Sequence, residues 1–119
     1  MPSPAFRQWL FCALLVGVGH AVANDFPTVD RVLYVQECMR TNPGPHYEMV
    51  NKCSCALDTL AMQVSFDEYT TMTTIANGSG IGGERGNAIR DTASLQPLLK
   101  RYRELQTQVK KSCFLDTPR

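Results

Sequence analysis

Histidine is nearly missing from this chain: of 119 residues only His20 and His46 carry an imidazole, and His20 falls in the apolar N-terminal segment. His46 follows Pro45 inside a breaker cluster, and no nucleophile–acid pattern accompanies it in sequence. A nucleophile–His–acid hydrolase therefore finds no support. Charge of one sign is missing too. The formal net charge is +1, and it falls to zero once the segment holding Arg7 is removed, so nothing pulls the chain toward nucleic acid or an anionic membrane. No C-x-x-C occurs, which disfavours a thioredoxin-like exchange site, and no C-x-x-C-H occurs, which disfavours covalent c-type haem. No period-2 apolar run is long enough for a strand, and no apolar run approaches the roughly twenty residues that a membrane span needs.

What is present begins with an export signal. In residues 1–23, Arg7 supplies a positive start and Trp9 to Val18 form an apolar run. That run has the length of an h-region, and Ala21-Val22-Ala23 is an A-x-A cleavage site. The expectation is a signal peptide over 1–23 and one mature domain over 24–119, periplasmic or secreted, with no stable membrane insertion after cleavage. Cys12 lies inside the apolar run and leaves with it.

Four cysteines remain: Cys38, Cys53, Cys55 and Cys113. In an exported domain of this size, an even count most often means disulfides, and a small core gains most from such cross-links. The helical periodicity around them predicts an all-α fold, a small disulfide-stapled bundle of about four helices. Thr28 is the expected N-cap of the first helix, with Val32, Val35 and Met39 on its inner line and Tyr34 and Cys38 beside them. Asn42-Pro43-Gly44-Pro45 stops that helix. In the second, Met49, Val50, Cys53, Leu57, Leu60 and Ala61 form one stripe. Cys55 stands about 200° of rotation away from Cys53.

Ser65-Phe66-Asp67-Glu68 reads as a capping box opening a third helix with Phe66, Tyr69, Met72 and Ile75 available to the core. Asn77-Gly78 is its expected stop, and the glycine-rich run 78–86 reads as loop. A short helical stretch follows near 87–90. Ser94 is the expected cap of a final helix whose buried line is Leu98, Tyr102, Leu105 and Val109, with Cys113 on the same face.

A C-x-C pair diverges within a helix and does not close on itself. One sulfur then goes to the first helix and the other to the last. Both Cys38–Cys53 with Cys55–Cys113 and Cys38–Cys55 with Cys53–Cys113 satisfy this. Periodicity leans to the second, because Cys53 and Cys113 both lie on core stripes. The competing functional reading is a thiol-redox or Cu(I)-handling protein in which Cys53 and Cys55, with Met49, Met62 or His46, offer soft ligands. An oxidising compartment competes for those sulfurs, so no metal, no cofactor and no catalytic residue is expected.

Gly78-Ser79-Gly80-Ile81-Gly82-Gly83 matches G-x-G-x-x-G formally, but no strand precedes it and no βαβ unit surrounds it. Around this run Glu84, Arg85, Arg90 and Asp91 alternate in sign. Pairing among them that fixes the loop is the simpler expectation. Their use as an interaction loop for a polar or anionic group of a partner is the other. The basic residues Lys100, Arg101, Arg103, Lys110 and Lys111 read as a solvated helix face.

Taken together, Tyr47, Cys53-Ser54-Cys55-Ala56-Leu57-Asp58, Phe66-Asp67-Glu68-Tyr69, Gly83-Glu84-Arg85-Gly86, Ile89-Arg90-Asp91 and Cys113-Phe114 resemble a group of small secreted proteobacterial four-cysteine proteins. Members are often encoded beside PQQ-dependent quinoprotein alcohol dehydrogenases. The resemblance implies a periplasmic setting and an accessory role, exercised on a protein partner, in alcohol oxidation. It implies no catalytic residues, and the expectation is a non-enzymatic interaction protein.

Overall fold

The computed structural model describes residues 24–116, and the expected signal peptide lies outside them. Five α-helices and no strand occur among the described residues. They are α1 (Thr28–Thr41), α2 (His46–Ala61), α3 (Phe66–Ser79), α4 (Glu84–Asp91) and α5 (Gln96–Ser112), with a 3₁₀ turn at Ala93–Leu95 leading into the last. The all-α expectation holds, and the short stretch expected near 87–90 is a full helix starting at Glu84.

The sequence of α2 explains why it is the central element. Met49, Cys53, Ala56, Leu57 and Leu60 recur at helical spacing and are all buried. Onto that stripe pack Met72 of α3, Leu105 and Val109 of α5, and Phe26 from the segment before α1. In α5 the buried positions are Leu99, Leu105 and Val109, while Leu98 and Tyr102, also expected on the inner line, are half-buried. No residue of α1 is fully buried, and its Val32 is 50% exposed. The first helix thus lies against α2 without being enclosed.

Several helix ends differ from expectation. Pro27, not Thr28, precedes the first turn of α1, and no side chain caps it. Ser65 does cap α3, its hydroxyl accepting from the Glu68 N–H at 3.2 Å. The Glu68 carboxylate, however, pairs with Arg101 of α5. A further first-turn amide, that of Phe66, donates to Asp25. Ser94 falls in the 3₁₀ turn and makes no capping bond to α5, whose Pro97 sits in the first turn as a proline without an N–H can. Helix α3 runs through Asn77-Gly78 to Ser79, so only residues 80–83 form the loop that was expected to span 78–86.

Candidate functional site

The two bridges fasten α1 and the end of α5 to α2. Cys38 bonds to Cys53, with 15 residues of separation, and Cys55 bonds to Cys113, with 58. The pairing is the reverse of the one periodicity favoured, and helix register explains why. Measured from the α1–α2 turn at about 1.5 Å per residue, Cys38 lies about 4 Å up its helix, Cys53 about 10 Å and Cys55 about 13 Å. Of the two sulfurs on α2, Cys53 is therefore nearer in height to Cys38. Cys113 arrives beside the outer edge of α2, its sulfur 3.6 Å from the Thr59 hydroxyl one turn beyond Cys55. Cys53 is fully buried while Cys55 is exposed. With all four sulfurs bonded in pairs, neither Cys53 nor Cys55 is a thiolate available to a metal. Among the described residues no group of three or more His, Cys, Asp or Glu side chains is arranged to hold one.

A groove of about 440 Å³ lies between α1 and α2. Val32, Val35 and Met39 form one wall, and Val50 and Leu57 the other. Arg31 and Asp58 face each other across it at 3.6 Å, and His46 also borders it. The apolar line assigned to the inner face of α1 is thus the wall of an open groove. Val29 and Leu33, at 63% and 56% exposure, continue the apolar surface over the rim.

A second recess, about 350 Å³, lies where α1, α3 and α5 meet. Each of the three helices contributes one tyrosine: Tyr34, Tyr69 and Tyr102. The Tyr34 and Tyr69 rings meet edge to face with centroids 6.3 Å apart. Burial raises the Tyr34 phenol to about 12, and proximity to Tyr102 adds to it. Burial likewise raises Tyr69, reinforced by Tyr102, Tyr34 and Asp30, and raises Tyr102. Among the described residues none of the three hydroxyls has a hydrogen-bond partner, and none is sealed from water. The sequence placed these tyrosines on or beside core lines. What it did not reveal is that all three line one recess, with their phenols near enough to act on one another.

The pairing expected among the charged residues around the glycine run is not what holds the loop. Arg90 folds back across the loop and donates to the carbonyls of Ser79 at 2.5 Å and Ile81 at 3.1 Å, and also to the Asn87 side chain. A guanidinium at the C-terminal end of α3 opposes the negative end of the helix dipole. Gly86 lies directly beneath Ile81, and a Cβ there would run into the Ile81 carbonyl. The loop is fixed by Arg90 and by this close approach, not by ion pairs among the four residues. Glu84, Arg85 and Asp91 remain exposed on α4.

At the other end of the chain, Arg101 pairs with Glu68 and Lys100 with Glu104, which fits a solvated helix face. No described helix is long and apolar enough to cross a membrane. Comparison of the chain with protein-family models, with curated proteins and with solved structures returned no match.

Proposed function

We propose that this is a non-enzymatic, disulfide-stapled interaction module of the periplasm that receives an amphipathic helix of a protein partner in the α1–α2 groove. The observation that carries the reading is the apolar face of α1. Val29, Val32 and Leu33 stand at i, i+3 and i+4 with half or more of their surface exposed, beside a groove walled by Val35, Met39, Val50 and Leu57. Contiguous exposed apolar surface of this kind marks interaction sites on small proteins. The groove runs from Thr28 to Met39, about 16 Å of helix, or three turns. That is the length over which a partner helix presents i, i+3/i+4 and i+7 anchors. Arg31 and Asp58 offer both charge signs to the partner's flanking residues. Two disulfides suit an oxidising compartment and hold the walls in place without a large core. The most concrete form of the proposal is an accessory of quinoprotein alcohol oxidation, which rests on the sequence resemblance.

The test is a photo-crosslinking residue introduced at Val32, with one at exposed Gln108 as the comparison. A product formed only from position 32, mapping to an amphipathic helix of another protein and suppressed by Asp at position 29 or 33, supports the reading. A product made of two copies of this chain makes the groove a self-association surface and overturns it. Equal products from both positions, or none, overturn it as well. A partner outside the dehydrogenase and cytochrome machinery removes the quinoprotein link alone.

A further inference from the structure

The recess of the three tyrosines shares no lining residue with the α1–α2 groove and is opposite to it in chemistry. Its aromatic rings carry hydroxyls, and Gln106 and Lys110 of α5 stand beside them. A phenol both donates and accepts a hydrogen bond, and so does a carboxamide. None of the three phenols or Gln106 uses that capacity on another described residue. In a half-buried recess water satisfies such groups, and a ligand carrying hydroxyls can replace it.

Charge narrows the class of ligand. Glu37 borders the recess, but its carboxylate is held by Arg40 through paired hydrogen bonds of 2.7 and 2.5 Å. Asp30 is near enough to Tyr69 to act on its phenol. The lining itself holds one acid, Glu37, and one base, Lys110, so its signs cancel. A site that balances charge while multiplying neutral donors and acceptors discriminates against ions and suits an uncharged polyol. The volume of about 350 Å³ lies at the small end of the roughly 300–1,000 Å³ that ligand pockets occupy, enough for one ring.

We propose that the recess between α1, α3 and α5 binds a neutral, hydroxyl-rich small molecule the size of a single sugar ring, held by Tyr34, Tyr69, Tyr102 and Gln106. The rings supply flat apolar faces for the ligand's C–H surface, and the hydroxyls and the carboxamide meet its oxygens. Because burial keeps the phenols protonated, they remain donors throughout the ordinary pH range.

The chain provides its own readout. The single tryptophan, Trp9, lies in the expected signal peptide, so mature-chain emission comes from four tyrosines, three of them in the recess. Titrating the mature protein with D-glucose, D-galactose and, separately, sodium acetate tests the proposal. The expected result is saturable change with at least one sugar, insensitive to ionic strength. Gln106→Leu and Tyr102→Phe each weaken it roughly three- to tenfold, the loss of one hydrogen bond. Tyr47→Phe, at an exposed position on α2, leaves it alone. Thermal melts of each variant separate lost binding from lost folding. Saturation by acetate in place of the sugars, falling with salt, makes the recess an anion site and overturns the proposal. So does a sugar response that survives both recess variants, or the absence of saturation by either sugar.

Discussion

The carboxylate of Asp25 accepts the backbone N–H of Phe66, both oxygens lying 3.0 Å from that nitrogen across 41 residues of sequence. A cap supplied from outside the helix ties the start of the described chain to the start of α3. One residue on, the Phe26 ring packs against Phe66 and Tyr69 at centroid distances of 5.3 and 5.4 Å. Phe26, near the start of the expected mature chain, therefore belongs to the core. Asp25→Ala is expected to cost about 1 kcal/mol, as the loss of a helix cap does. Phe26→Ala should cost roughly 3–5 kcal/mol. Urea unfolding of both variants checks the two figures, and near-equal midpoints would contradict the ranking.

The two bridges are expected to differ in their contribution. In the chain-entropy account a closed loop of 15 residues is worth about 3 kcal/mol and one near 58 about 4 kcal/mol. Removing Cys55 and Cys113 together should thus lower the melting temperature more than removing Cys38 and Cys53 together, both by roughly ten degrees or more. Differential scanning calorimetry of the two double variants gives the comparison.

Gly86→Ala is expected to destabilise the α3–α4 corner by roughly 1–3 kcal/mol. A Cβ at that position meets the Ile81 carbonyl and stands 2.7 Å from the Arg90 guanidinium that braces the loop. Gly82, in the same glycine-rich run, offers the internal control, since a Cβ there meets nothing within 4 Å. Melting curves of Gly86→Ala and Gly82→Ala should separate clearly.

Stability is expected to fall at high pH through the phenols. Folding raises Tyr34 from 10.0 to about 12 and raises Tyr69 and Tyr102 in the same direction. The folded state thus holds these protons more tightly than the unfolded chain. The stabilisation is complete below pH 10, where both states are protonated, and is lost as pH rises from 10 through 12. For Tyr34 the loss amounts to roughly 3 kcal/mol. Chemical denaturation at pH 8, 10 and 11.5 measures it, and Tyr34→Phe should flatten the profile.

Much of this fold is written in local sequence. The Met49-Cys53-Leu57-Leu60 stripe, the Ser65 cap and the breakers at 42–45 each specify their structure within a few residues, and each is found. The features that escape such reading depend on register or on distant partners. Which sulfur meets Cys38 is decided by heights along two helices, not by which face a cysteine occupies. Asp25 looks like a solvated acid until α3 is brought beside it. The tyrosines of α1, α3 and α5 each resemble core residues singly, and only tertiary packing gathers them into the lining of one recess. The Arg90 brace is legible only once residues 79–81 are known to curl beneath it.

The claim on which the rest depends is that all four sulfurs are engaged in Cys38–Cys53 and Cys55–Cys113 cross-links. Only Ser54 separates the two bridges, so proteolysis alone does not resolve them, but thiol counting on unreduced exported variants does. The intact protein should show no free thiol, removal of Cys55 and Cys113 should leave none, and removal of Cys38 and Cys55 should leave two. Four free thiols in the intact protein, or none after removing Cys38 and Cys55, would contradict the account.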